Sequence, residues 1–204
     1  MFASQFSGKL MVYIDGSNLF HGLRERQSNG LSYRIDYKQL INVLVGARDV
    51  LRANYYGSYP SSGSQSQFEF FDGLKLSGFE VKTFPLKTPT KPKKLRCLHC
   101  KETFDEITCP LCAKKFYDLR PEEKGVDVAI AIDMISHAAK SVYDTAILVG
   151  GDKDHLGVVD VVKNEFGKRV EVVNFSYRTS KELMKKADIF IPLEGIMDQI
   201  EIKK

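Results

Sequence analysis

Four aspartates, Asp15, Asp127, Asp152 and Asp154, lie far apart in the chain, yet each falls where a predicted β-strand meets a helix. In an α/β sheet that edge is where ligands bind. Carboxylates gathered at one rim suit a hard divalent cation, which takes oxygen ligands, so the pattern predicts metal-dependent chemistry. Each aspartate also has a plainer reading. Asp15 ends the apolar run LMVYI and is followed by Gly16, which lets the backbone turn sharply, but Asp15 or Ser17 could simply cap the next helix. Ser17 and Asn18 are also candidate substrate contacts, Asn18 through an amide able to orient a phosphate or a metal-bound water. In GGDKD, residues 150–154, Asp152 and Asp154 bracket a turn, where two such acids repel unless a cation neutralises them, although one can cap the following helix. Asp152 is the stronger ligand candidate. Asp127 opens a helix in KGVDVAIAIDM on a stripe with Ala131, Met134 and Ala138, and capping competes there too. Asp133, six positions on and about 120° around the helix, faces with His137 as a surface pair. Lys124 can offset acidic charge or hold a phosphate.

A second set of residues has metal spacing of another kind. Cys97 and Cys100, then Cys109 and Cys112, are two C-x-x-C pairs separated by eight residues. Thiolates on two tight turns can complete a tetrahedron around Zn²⁺, and four protein ligands make such a site structural, with no open position. A redox dithiol is the alternative; an iron–sulfur cluster fits poorly in loops with little apolar shielding. His99 faces solvent on this reading. An insert of about 30 residues cannot bury its own core, so the metal would supply its folding free energy. Around it lie Lys87, Lys91, Lys93, Lys94, Arg96, Lys101, Lys114 and Lys115. They suggest a nucleic-acid clamp, while contact with a protein partner or a second copy of the chain is the other use of such a module.

The elements that must position these groups alternate. Leu10 to Ile14 reads as a buried strand, with a helix from Asn18. Asp36 is an N-cap for a helix carrying Leu40, Ile41, Leu44 and Val45 at helical spacing. Strands follow at Val50 to Tyr59 and Phe79 to Leu86, around a helix near Gln67 to Leu76. At Lys87 the sequence changes to KTPTKPKKLR and the rhythm stops until Pro121. It resumes with a helix over Asp127 to Ala139, the strand Thr145 to Val149, a helix after Asp154, the strand Val170 to Asn174, a helix near Ser180 to Ala187 and a strand Asp188 to Pro192. No internal repeat is evident. Alternating strands and helices predict an α/β fold, a largely parallel sheet covered on both faces, with residues 8–86 and 121–200 as one discontinuous domain and 87–120 as a zinc-binding insertion.

Composition sets the outer bounds. The chain has 204 residues, enough for one core plus a small module. The apolar run Leu10 to Ile14 is too short for a signal peptide and breaks at Asp15. No stretch approaches the roughly 18 apolar residues that span a bilayer. With every cysteine in one stretch, the expectation is a soluble cytoplasmic protein without a membrane partner. The net charge of +4 is mild, and it implies a polyanionic partner only if concentrated. Lys163, Lys168, Arg169, Arg178, Lys181, Lys185 and Lys186 could form a phosphate track or be ordinary solvated helix charges.

With these residues assembled, the chain resembles the NYN family, the LabA group within the PIN-like nuclease superfamily. The resemblance rests on IDGSN at 14–18, KGVDVAIAIDM at 124–134 and LVGGDKDHLGVV at 148–159. It covers nearly everything outside the cysteine insert. It implies a PIN-like three-layer α/β/α sandwich with acids at one end, to which the cysteines would add a small zinc-ribbon-like insertion. It also implies Mg²⁺- or Mn²⁺-dependent cleavage of nucleic acid, RNA rather than DNA. Asp15, Asp127 and Asp152 match the family's acidic ligands, and Asp154 matches the second acid of its S-G-D-x-D-F motif. Gly150 stands where that motif has serine and His155 where it usually has an aromatic residue, so His155 could contact a phosphate. The competing function on the same fold is a non-catalytic RNA-binding or protein-assembly module.

Overall fold

The computed structural model describes residues 8–28, 34–60, 63–88, 94–104, 106–116 and 121–202. Six strands form one sheet in which every pairing is parallel: β1 (Leu10–Asp15), β2 (Val50–Tyr59), β3 (Glu80–Pro85), β8 (Thr145–Val149), β9 (Arg169–Asn174) and β10 (Ile189–Pro192). Their order is β10-β9-β8-β1-β2-β3. β1 and β8, at the centre, are buried along their whole length, as expected of apolar runs covered on both faces of a parallel sheet. Alternate residues feed two cores. Val12, Ile14, Ile147 and Val149 face one, Met11, Tyr13, Ala146 and Leu148 the other, because successive strand side chains point to opposite faces.

Helices α1 (Gly16–Ser28), α2 (Tyr37–Val45) and α3 (Gln65–Leu76) contribute to the first core, and α4 (Val126–Ala139), α5 (Leu156–Asn164) and α6 (Lys181–Lys186) to the second. This is the α/β sandwich the strand–helix rhythm predicts. Asp36 is the N-cap of α2, accepting from the Lys38 and Gln39 N–H groups at 2.8 and 3.0 Å, and Leu40, Ile41, Leu44 and Val45 are buried. A terminal turn that periodicity did not anticipate, α7 (Met197–Ile200), also adds Met197 and Ile200 to this core. Four residues are too few to register a helical period.

Two expectations about α4 are corrected. Asp133 and His137 do not pair at the surface. Asp133 accepts from the Tyr56 hydroxyl at 2.5 Å and the Lys82 ammonium at 2.6 Å, while His137 Nδ1 lies 2.9 Å from the Tyr13 hydroxyl. The sheet supplies tyrosines beneath α4, and these reach each polar group before the two reach each other. Asp127, for its part, does not follow a strand. It is the second residue of α4, which leaves the insert through residues 121–125.

The insert departs from the sheet and returns at one point, where the backbones of Lys87 and Glu122 exchange hydrogen bonds of 2.9 Å in both directions. Between these lie two small antiparallel pairs, β4 (Leu95–Arg96) with β5 (Thr103–Phe104), and β6 (Ile107–Thr108) with β7 (Lys115–Phe116). Here the structure corrects the reading of no repeat. LRCLHCKETF and ITCPLCAKKF fold alike, each with a cysteine N–H closing the hairpin, to Glu102 and Lys114 respectively, and a positive-φ residue after the second cysteine, Lys101 and Ala113. Ten residues with few identities are too short for such a repeat to stand out. Backbone N–H groups, those of Cys100 and Cys112 foremost, lower the pKa of Cys97 and Cys109. Among the described residues no three thiols lie within 4.8 Å of one another. Lys91 and Lys93 lie outside the described residues.

Candidate metal centre

The sheet order places a topological switch between β1 and β8. From β1 the chain winds outward to β2 and β3, and from β8 it winds the opposite way to β9 and β10. The crevice beyond the carboxyl ends of two such strands is the standard ligand position of open α/β sheets. Asp15 is the last residue of β1, and Gly150, Gly151 and Asp152 follow β8 directly.

Asp15 is buried, and its Oδ1 accepts from the Asn18 N–H at 2.9 Å. Capping and site position therefore coexist, since the second oxygen, Oδ2, stands 3.7 Å from His155 Nε2. Asp127 Oδ1 approaches the same nitrogen to 3.6 Å. Both separations exceed a hydrogen bond, and Nε2 is buried with no hydrogen-bond partner. Ligand atoms of Asp15, Asp127 and His155 all lie within 4.8 Å of one another. A buried nitrogen without a hydrogen-bond partner, facing two carboxylates, makes a donor set able to hold a cation.

Asp152 and Asp154 stand at the exposed rim, where Asp152 caps a short 3₁₀ turn by accepting from the Asp154 N–H at 3.1 Å. They remain within electrostatic range. Burial pushes the Asp127 carboxyl above its ordinary pKa, His155 draws it back, and the charges of Asp15, Asp152 and Asp154 raise it further. All four aspartates thus share one field, with Asp15 and Asp127 against His155 and the other pair outside.

The remaining expected residues brace this arrangement. Asn18 Oδ1 accepts from the Gly151 N–H at 3.2 Å and from Asn174 Nδ2 at 2.9 Å, tying the β1, β8 and β9 ends together. Ser17 donates to Glu123 at 2.5 Å, and Lys124 pairs with Glu122 at 3.0 Å. Sequence alone does not single out Glu123 or Asn174; the one available signal for Asn174 is a polar residue closing the apolar strand RVEVVN. The expected phosphate track is largely committed elsewhere, because Lys163, Lys168, Arg169, Arg178 and Lys186 pair with Asp188, Asp144, Glu171, Glu25 and Asp160.

Three glycines make room for the site. Gly16 has no positive φ, so its role is space rather than the sharp turn read from sequence: a Cβ there would lie 2.2 Å from the Tyr55 hydroxyl and 2.8 Å from the Tyr56 carbonyl oxygen. Gly16→Ala is therefore expected to destabilise the fold by about 1–3 kcal/mol, the usual cost of overpacking, read as a fall in the urea midpoint. At Gly151 a Cβ would meet Asn174 Nδ2 at 2.2 Å, and at Gly150 it would meet Asp15 Cβ at 3.3 Å and His155 Nε2 at 3.6 Å. Gly150 and His155 are thus neighbours, and the two departures from the motif occur at one place.

Comparison with known proteins agrees with this architecture. The family model described as the NYN domain matches residues 9–194. A crystal structure of a protein of unknown function from Vibrio parahaemolyticus is 24% identical with a TM-score of 0.64, covering 97% of this chain and 98% of that one; at that identity the likeness bears on the fold alone. A Sir2 enzyme structure, 13% identical with a TM-score of 0.38, covering 90% of this chain and 86% of that one, is too distant to bear on either fold or function. Among curated proteins none matches significantly.

Proposed function

The chain belongs to the NYN domain family, whose members are generally nucleases, and from that premise we propose that it is a metal-dependent ribonuclease that hydrolyses phosphodiester bonds at the switch point. The observation that carries this reading is the unpartnered His155 Nε2, buried at 3.7 and 3.6 Å from the carboxylates of Asp15 and Asp127. The donor set fits a divalent ion. Carboxylate oxygens suit Mg²⁺ and Mn²⁺, and an added imidazole nitrogen shifts the preference toward the first-row transition ion. Asp15, Asp127 and His155 would hold the ion, with Asp152 and Asp154 completing its ligands at the open side. Once bound, the ion supplies a lowered water pKa and neutralises charge developing on the scissile phosphate.

The chain's own groups do the positioning. The Asn18 N–H fixes Asp15, and the Asn18 side chain holds the β8 turn against β9, so the carboxylates of both strands keep their spacing. The crevice excludes bulk water on the side where His155 is buried and admits substrate past the exposed Asp152 and Asp154. RNA is the proposed substrate in preference to DNA. Labelled single-stranded and structured RNAs incubated with Mn²⁺ or Mg²⁺ are expected to be cut by the wild type, and Asp152→Asn should slow cutting by at least about ten-fold. Metal-dependent cleavage that persists undiminished in Asp152→Asn would point to a contaminant and remove the assignment; tight binding without cleavage by the wild type would make the chain a binding module.

We further propose that the two hairpins hold one structural Zn²⁺ through Cys97, Cys100, Cys109 and Cys112; with no three of these thiols within 4.8 Å of one another, the ion would draw the two like turns together. The lowered thiol pKa of Cys97 and Cys109 supports thiolate ligation. Purified protein should carry about one zinc per chain, and Cys109→Ser should lose most of it while the melting of the α/β sheet is unchanged. A reduced, metal-free insert that stays folded would contradict this. The lysines around the hairpins make RNA its proposed partner.

A further inference from the structure

On the α1 and α3 side of the sheet lies a cavity of about 620 Å³ whose lining includes Gly16 and Ser17, the two residues that follow Asp15. That volume falls within the usual range of small-ligand pockets. Its walls are aromatic: Phe20, Tyr37, Tyr55 and Phe70 line it. Tyr37, Tyr55 and Phe70 pack edge to face on one another with centroids 5.5 to 5.7 Å apart, which fixes the ring orientations. Phe20 and Phe70 nevertheless remain 44% and 37% exposed. Polar groups are interspersed, and the hydroxyl of Ser58 in the wall is buried with no hydrogen-bond partner, a state that folded proteins mostly avoid.

The cavity lies beside the candidate metal centre, because Gly16 and Ser17 in its wall directly follow Asp15. The Tyr55 hydroxyl occupies the space a Cβ on Gly16 would need, 2.2 Å from it; burial chiefly, then Tyr37, and last the charges of Asp15 and Glu123 raise its pKa. A strand with one phosphate at the carboxylates would bring a neighbouring base to the mouth of an aromatic chamber with polar wall groups. Rigid aromatic walls beside a phosphate site are how proteins hold unpaired bases, because every base has a π-face. A duplex keeps its bases stacked and cannot place one there without extruding it.

We propose that this cavity is a base subsite: it takes the nucleobase next to the scissile phosphate of a single-stranded nucleic acid, unstacked from its neighbours and packed against Phe70 and Phe20. The inference rests on the nuclease reading, and it makes the enzyme selective for single-stranded or locally unpaired substrate. The test uses the full chain carrying Asp152→Asn, with Ca²⁺ in place of Mg²⁺ or Mn²⁺, so that an ion can hold the phosphate while binding is read without cleavage. Short oligoribonucleotides carry 2-aminopurine at one position scanned along the strand, and matched strands carry an abasic residue there. At one position the fluorescence should change on binding, and the abasic residue should weaken affinity roughly ten-fold. Adding Phe70→Ala should weaken the intact strand by a similar factor and leave the abasic strand unaffected. Phe20→Ala, at a more exposed ring, should act the same way without risk to the fold.

Equal loss on intact and abasic strands, no loss on either, or duplex binding as tight as single-strand binding would overturn the subsite. Cleavage by the wild type with no dependence on the abasic position would also remove it while leaving the nuclease standing. Base-dependent binding by a wild type that never cleaves would do the reverse.

Discussion

Asp15→Asn is expected to abolish metal-dependent RNA cleavage, with a loss of at least about a hundred-fold, equivalent to about 2.7 kcal/mol of transition-state stabilisation. The substitution is nearly isosteric, and an asparagine oxygen can still accept from the Asn18 N–H as Asp15 Oδ1 does at 2.9 Å. What it removes is the charge. Loss of that charge also relieves Asp127, whose carboxyl is held above its ordinary pKa chiefly by burial and partly by Asp15. The metal-free variant should therefore melt no lower than wild type. The wild type, by contrast, should gain roughly 5–10 °C at a Mn²⁺ concentration a hundred times its dissociation constant, and the variant should gain almost nothing. Thermal melts with and without Mn²⁺, beside the cleavage assay, separate this outcome from simple unfolding, which would lower the metal-free melting temperature instead.

His155→Phe should lower Mn²⁺ affinity by more than ten-fold while changing Mg²⁺ affinity less, so that the preference between the ions narrows. The reasoning is one of donor chemistry. Imidazole is a good ligand for transition ions and a poor one for Mg²⁺, which keeps oxygen ligands and waters. The side chain is only 1% exposed and its Nε2 has no hydrogen-bond partner, so a ring without that nitrogen removes an unsatisfied buried group rather than creating one. Isothermal titration with each ion measures the two affinities directly. An unchanged ratio would mean that His155 is a packing residue and that carboxylates alone hold the ion.

Much of this architecture was legible from local pattern. LMVYI read as a buried strand and residues 145–149, TAILV, as a strand; both are apolar because a strand covered on both faces must be, and they are the central pair. Asp36 announced its helix by side-chain chemistry that acts within three residues. What escaped depends on contacts across the fold. Asp133 turned to Tyr56 and Lys82 rather than His137 because the sheet beneath α4 is invisible to helical spacing. Asn18 and Ser17 offered amide and hydroxyl groups for a substrate, and in the fold these reach Gly151, Asn174 and Glu123.

The site itself was legible as a set of acids, not as an arrangement. Within GGDKD the sequence favoured Asp152 over Asp154, with Asp15 as firm a candidate; the tightest grouping among the described residues is Asp15, Asp127 and His155. A histidine at a position that resembled an aromatic slot gave the one early sign, and its burial between two carboxylates could only come from three separate elements meeting at the switch point.

The most direct measurement is the anomalous scattering of crystals soaked in Mn²⁺. The account predicts a peak at the carboxyl ends of β1 and β8, within coordination distance of Asp15, Asp127 and His155 Nε2, and its disappearance in Asp15→Asn crystals. A fully soaked wild-type crystal with no peak there, or with Mn²⁺ bound only elsewhere, would contradict the metal centre and with it the proposed nuclease.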